Sequence, residues 1–166
     1  TKCSCGESNE SVIESIRQYN KTAEIIECRH APRYLQNAFS QERLPLEVLQ
    51  GKHIGTLSGI ATPESFEDSL TKLGATIEAK RRYTDHHRYR EQEVLTFINQ
   101  GVDRDLAMIV TTEKDAVRLP KITRTDVPIF YLRVEIEILS GEETWKECIE
   151  RICSPQAVEA VNRVFT

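Results

Sequence analysis

Five consecutive apolar residues, Leu106-Ala107-Met108-Ile109-Val110, constrain the fold of this chain more than any other feature. Successive side chains of a strand point to opposite faces, so a run without a polar member must be covered on both. Such a strand belongs in the middle of a parallel sheet with helices above and below it.

The flanking segments agree. His53 to Ser58 reads as a strand ended by Gly59, and Ala75 to Arg82 as another, with Ile77 its clearest core residue. Between them Thr62-Pro63 predicts a helix start, because Thr can cap free amides and Pro at the first helical position loses no hydrogen bond. Phe66, Leu70 and Leu73 line one face of that helix, and Gly74 stops it. Glu91 to Gln100 predicts a second helix with Val94, Leu95 and Ile98 inward and Gly101 closing it. Thr112 predicts the cap of a short helix that begins at Glu113 and ends before Pro120, with Asp115 at its third position. Pro128 precedes a strand at Ile129 to Leu132, and Val134, Ile136 and Ile138 alternate with glutamates as a half-buried edge would. Helix and strand alternating at these lengths give an α/β, three-layer fragment with a mainly parallel sheet.

The ends are less distinctive. Ser8 to Tyr19 has helical spacing at Val12, Ile13, Ile16 and Tyr19, Ala23 to Cys28 reads as a short strand, and a helical turn is expected near Leu44 to Leu49. Glu142 to Cys153 predicts a helix with Trp145, Cys148, Ile149 and Ile152 inward, and Pro155 opens a final amphipathic segment through Val158, Val161 and Phe165. The expected organisation is one α/β domain over 1–166, with a weakly marked segment 1–50, a core 51–139 and C-terminal helices 140–166.

Charge and cysteine usage remove several function classes. Lys and Arg number 22 against 26 Asp and Glu, a net charge of -4, which offers no basic field for nucleic acid. The dense basic run Lys80-Arg81-Arg82 is divided between a solvated patch and an anion-facing one. Five cysteines, an odd number, set up no disulfide framework. Cys3 and Cys5 stand one residue apart without a nearby His, a poor zinc pattern, and Cys28 is expected to be a small core side chain. No stretch has the length and apolarity that spanning a bilayer requires, and none reads as a signal peptide.

Loops leaving the C-terminal ends of parallel strands share one edge of the sheet, the usual ligand side. Three polar segments map there: Ser58 to Pro63, Thr84 to His87 and Thr111 to Asp115. Gly59 and Thr62 form a turn before a helix, where free amides can face a phosphate or simply be capped. In Asp85-His86-His87 a carboxylate can orient an imidazole for proton handling, and neighbouring histidines cannot both point the same way. The plainer reading is two partly exposed loop histidines, one satisfied locally. A metal site from Asp85, His86 and Glu113 or Asp115 would need ligands from separate loops. Lys114 can neutralise phosphate or pair with Glu113 and Asp115. No glycine-rich Lys-Ser/Thr loop and no dinucleotide fingerprint occurs, so a nucleotide enzyme with this sheet needs its phosphate cradle from elsewhere.

These segments, in order, resemble the C-terminal part of the tetraacyldisaccharide 4'-kinase family. The matching residues are Gly59 to Phe66, Asp85-His86-His87-Arg88-Tyr89 and, most specifically, Thr111 to Leu119, with Thr1-Lys2-Cys3 and Tyr131 to Leu139 also similar. The resemblance implies an ATP- and Mg2+-dependent P-loop kinase that phosphorylates the 4' hydroxyl of an acylated disaccharide lipid A precursor. Its Walker motif, catalytic aspartate and magnesium carboxylates would lie in an N-terminal P-loop domain of the same polypeptide. His86 inherits the role of supporting that aspartate, with Asp85 orienting it. Gly59, Thr62, His87, Thr111, Thr112, Glu113, Lys114 and Asp115 would lie near substrate or nucleotide.

The same resemblance implies work at the cytoplasmic face of a bacterial inner membrane, with membrane contact through N-terminal elements. The isolated chain is expected to be soluble and inactive, and to bind no cofactor tightly or metal of its own. Ala61 and Thr62 stand where the family has Gly and Asn, Thr84 where a Pro is frequent, and Arg90 where a small capping residue is usual. A non-catalytic α/β interaction domain and a metal-dependent hydrolase are the rival readings.

Overall fold

The structure is a computed structural model that describes residues 9–124 and 126–153. Cys3, Cys5, the Thr1-Lys2-Cys3 likeness and the segment from Pro155 lie outside the described residues. In chain order the elements are α1 (Glu10–Tyr19), β1 (Glu27–Asn37), β2 (Arg43–Leu44), a short 3-10 helix (Leu46–Leu49), β3 (His53–Ser58), α2 (Pro63–Lys72) and β4 (Thr76–Arg82). There follow α3 (Glu91–Asp103), β5 (Met108–Thr112), α4 (Glu113–Ala116), β6 (Ile129–Ser140) and α5 (Glu142–Cys153). Contacts divide the chain into two units, Thr1–Ala31 with Ile136–Thr166, and Pro32–Glu135.

The six strands form one sheet in the order β2-β1-β6-β5-β3-β4. β3 runs parallel to both β4 and β5, and β5 parallel to β6, while β1 and β2 are antiparallel. Within Pro32–Glu135 the sheet is covered on both faces, and adjacent residues of β5 prove it. Met108 and Val110 pack with Leu70 of α2, whereas Ile109 packs with Val94, Phe97 and Ile98 of α3. The apolar run therefore has the cause inferred from sequence, a central strand between two helical layers. At about 25 cal/mol per Å2 of apolar surface, each fully buried Leu, Ile or Phe of these clusters adds roughly 1.5–3 kcal/mol.

One irregularity explains a sequence pattern. Ile54 pairs with Ile77 but Gly55 pairs with Ala79, so Glu78 is an extra residue in β4. That bulge puts Ile77 and Ala79, two positions apart, on opposite faces, Ile77 toward α2 and Ala79 toward α3. Glu78 itself turns to solvent and meets Nδ1 of His53 at 2.7 Å.

Several expectations need correction. The first strand spans Glu27–Asn37 and runs through Pro32, because its buried residues Ala31, Leu35 and Gln36 come after the 23–28 segment that looked extended. Cys28 is exposed rather than in a core. β6 is a single strand from Ile129 to Ser140; its pairing with β5 ends at Leu132, so Val134 to Ile138 run on beyond β5, with Val134 against the core and Ile136 exposed. Gly101 does not end α3, which continues to Asp103; it is buried in the helix where Val127 packs close, with two Val127 methyls 3.4 Å from the place a Cβ would take. The apolar residues of α5 are not inward: Trp145, Ile149 and Ile152 stay exposed. Among the described residues no helix is long and apolar enough to cross a membrane.

Candidate active site

The strand order decides where a ligand can sit. From β3 the chain passes through α2 to β4 on one side, then returns through α3 to β5 on the other. The two helices lie on opposite faces, as crossovers of one hand running in opposite directions require. The gap beyond the C-terminal ends of β3 and β5 is thus a topological switch point, where open α/β sheets bind ligands.

Because β3 lies between β4 and β5, its exit residue Gly59 touches both neighbouring loops. Its carbonyl accepts from the His86 backbone N–H at 3.2 Å, and its own N–H donates to Oδ2 of Asp115 at 3.0 Å. The preceding Ser58 carbonyl accepts from Tyr83 N–H at 2.8 Å. All three predicted segments therefore meet at one rim. Gly59 has no room for a side chain: a Cβ would lie 3.0 Å from the Tyr89 hydroxyl, 3.2 Å from Oδ1 of Asp115 and 3.3 Å from Cβ of His87.

Asp115 is fully buried and holds the third segment to the first. Oδ2 also accepts from the Thr112 hydroxyl at 2.7 Å, and that hydroxyl accepts from the Asp115 N–H at 3.2 Å. Thr112 thus caps α4 as expected, but Asp115 does not reach back to the Thr112 backbone as a full capping box would; it spends its carboxylate on Gly59. Tyr89 OH and Asp115 Oδ1 both border the point that a Gly59 Cβ would take. Burial first, then the Asp115 charge, push the Tyr89 phenol well above its ordinary range, so it stays protonated.

The two histidines separate as adjacent residues must. His87 turns inward, stacked on Tyr83 with ring centroids 4.2 Å apart and edge-on to Tyr89 at 5.1 Å. Its Nε2 meets Oε2 of Glu93 at 3.1 Å. Glu93 also accepts from the Arg90 N–H at 2.8 Å, so α3 is capped from inside the helix despite Arg90, and that bond, then His87, hold the Glu93 carboxyl below its ordinary range. His86 turns outward with φ of 64°, a left-handed conformation unusual for a side chain of this size. Its N–H is held by Gly59 and by Oδ1 of Asp85 at 3.0 Å. The ring is 76% exposed, with Nε2 3.7 Å from Oδ2 of Asp85 and Nδ1 2.9 Å from Nη2 of Arg118.

Not every predicted residue joins this rim. Thr62 stands at the start of α2 but is exposed and makes no side-chain cap, so only Pro63 does the expected local work there. Thr111 is buried within β5. Glu113 pairs with Arg133, and among the described residues neither it nor Asp115 pairs with Lys114, which is exposed. Lys80 and Arg82 are tied to Glu67, at 2.7 and 2.8 Å, and Arg82 also to Glu64. Their charge anchors β4 to α2. Arg118 and Tyr89 were not singled out from sequence; only their places in motifs near the loops marked them.

A family model described as tetraacyldisaccharide-1-P 4'-kinase matches residues 3–154. The chain belongs to this kinase family. A tetraacyldisaccharide 4'-kinase of Anaeromyxobacter dehalogenans strain 2CP-C is 36% identical over 120 residues, 71% of this chain and 32% of that protein. One from Elusimicrobium minutum is 33% identical over 136 residues, 81% of this chain and 35% of that protein. The chain thus spans about a third of the length of the curated kinases it matches. A crystal structure of the apo form of LpxK from Aquifex aeolicus in complex with ATP aligns at TM-score 0.47 and 21% identity, covering 84% of this chain and 44% of that one.

Among the described residues no group of three His, Cys, Asp or Glu is placed to hold a metal. The rim carboxylates are otherwise engaged: Asp115 by Gly59 and Thr112, Glu113 by Arg133, Asp85 by the His86 backbone.

Proposed function

We propose that the full-length protein carrying this chain transfers the γ-phosphoryl group of ATP to the 4' hydroxyl of a tetraacyldisaccharide 1-phosphate. The observation that carries this reading is the meeting of the three family motifs at Gly59, on the switch-point edge of the sheet. Phosphoryl transfer is catalysed almost entirely by positioning and charge stabilisation, and this chain supplies one wall of such a cleft.

The remaining wall is an N-terminal P-loop domain of the same polypeptide, which holds ATP and Mg2+ and supplies the catalytic aspartate. His86 projects from the rim to support that aspartate, and Asp85 sets the loop that presents it. His87, Thr112 and Asp115 hold this loop system in shape, while Gly59, Thr62, Thr111, Glu113 and Lys114 border nucleotide or lipid. The reaction takes place at the cytoplasmic face of the inner membrane, reached through elements outside this chain.

Incubating the full-length protein with Mg2+, ATP and tetraacyldisaccharide 1-phosphate should give the 4'-phosphorylated lipid, seen by mass spectrometry. Residues 1–166 alone should give none. Full-length protein that folds and leaves the lipid unchanged would favour a non-catalytic interaction domain. Stoichiometric divalent metal on residues 1–166, with hydrolysis of a phosphoester, would favour the hydrolase.

A further inference from the structure

We propose that Arg118 is a positioning residue that fixes His86 in the tautomer with its proton on Nε2, leaving that N–H to donate to an anionic oxygen at the rim. A guanidinium has only donors, so at 2.9 Å from Arg118 Nη2 the Nδ1 of His86 has to be the acceptor. An imidazole that accepts at Nδ1 is neutral and carries its proton on Nε2. Adjacent Asp85 does not take that proton in a hydrogen bond: its Oδ2 is 3.7 Å from Nε2, and its Oδ1 is bonded to the His86 backbone.

Both partners are held independently of each other. Arg118 follows the end of α4, where its N–H donates to the Asp115 carbonyl at 2.8 Å and its Nη1 lies 3.8 Å from Oδ1 of the buried Asp115. His86 is held by its left-handed backbone and the bond to Gly59. The ring thus sits between two fixed points, and its exposed edge is a donor. The residues alone allow an imidazole oriented by the neighbouring carboxylate for proton handling; the geometry gives the orienting part to Arg118 instead. A donor at this place stabilises a carboxylate or phosphate oxygen; it does not remove a proton through Nε2.

The tautomer stands on geometry alone, whereas its catalytic consequence rests on the phosphotransfer reading. Two-bond 1H–15N correlation of the imidazoles in residues 1–166, at a pH where the histidines are neutral, reads the tautomer. The chain has four histidines, and His86→Gln assigns the resonance by its loss. The parent should show a protonated Nε2 and bare Nδ1 at His86. Arg118→Lys, which keeps a donor, should preserve that pattern; Arg118→Met should give a mixture; Arg118→Glu, which offers an acceptor, should move the proton to Nδ1.

Parent protein with the proton on Nδ1, or an Arg118→Glu variant of intact amide spectrum with an unmoved tautomer, overturns the proposal. In the full-length protein Arg118→Met should lower kcat by about tenfold, within the range of proton-handling groups, at unchanged KM for ATP, and Arg118→Lys should restore part of it. If kcat is unchanged in Arg118→Met while His86→Ala is impaired, the positioning role is wrong and the kinase reading survives. If the parent shows no kinase activity but the tautomers behave as stated, the kinase reading fails and the geometric assignment survives.

Discussion

Replacing Asp115 tests the rim at its anchor. Two donors converge on Oδ2, the Gly59 N–H at 3.0 Å and the Thr112 hydroxyl at 2.7 Å, and the carboxylate is fully buried. Hydrogen bonds to a charged group contribute about 1.5–3 kcal/mol each, and a buried donor left unpaired costs about 1–3 kcal/mol. Thr112 can rotate its hydroxyl toward another acceptor, but the Gly59 N–H is fixed by the backbone. Asp115→Ala should therefore cost about 3–5 kcal/mol, close to what breaking a buried charged contact usually costs. Asp115→Asn keeps an acceptor for both donors without the charge, and should cost about 1–2 kcal/mol. At roughly 2–4 °C per kcal/mol for a chain of this size, the two variants should separate clearly in thermal melts followed by circular dichroism. Amide exchange at Gly59 should accelerate in the Ala variant before the core of β5 is affected. A loss below about 1 kcal/mol in Asp115→Ala would refute the reasoning, because the carboxylate would then not be what ties the loops together.

Other substitutions probe separate links. Gly101→Ala should stabilise the chain by about 0.5–1 kcal/mol in urea titration, since the position is helical and a Cβ there meets the Val127 methyls at ordinary contact, 3.4 Å. Gly59→Ala should destabilise it by about 1–3 kcal/mol, because the same atom would press on the Tyr89 hydroxyl and Asp115. Glu67 is held below its ordinary value of 4.5, chiefly by Arg82, against the cost of burial. A carboxyl with a lowered folded pKa contributes stability above its unfolded pKa and loses it as pH falls through the folded value. As pH falls below about 5 and through the lowered folded value the parent should therefore lose more stability than Glu67→Gln, and the variant should be the weaker protein above that range. Parallel pH curves would rule out the ion pair as a stabilising contact.

Much of this architecture is written locally. His53–Ser58 and Glu142–Cys153 have the bounds expected from pattern, since glycines and charge clusters punctuate both. The central strand lies two residues later than its apolar run, because Leu106 and Ala107 precede it and Leu106 is already in the core. Hydrophobicity marks burial and not hydrogen bonding, so it cannot separate a buried loop residue from a strand. The bulge at Glu78 and the packing of Gly101 against Val127 depend on partners far along the chain, and no local rule reports them.

At the site, the convergence of the three loops followed from parallel strands alone. The bond that joins them, Gly59 to Asp115, spans 56 residues and has no local signature. The split between an outward His86 and an inward His87 was legible in part, as neighbours must diverge. Which one turned outward depended on Tyr83 and Tyr89, whose rings claim His87. Arg118 was invisible as a partner of His86, because nothing in a motif shows which loop its side chain will reach.

A paired comparison of His86→Ala and His87→Ala in the full-length protein tests the central claim most directly. Phosphoryl transfer to the tetraacyldisaccharide and urea stability would be measured on the same samples. His86→Ala should lower kcat by about tenfold or more with stability unchanged, whereas His87→Ala should lose about 1–2 kcal/mol of stability from its aromatic contacts. Undiminished transfer by a folded His86→Ala protein would contradict the account.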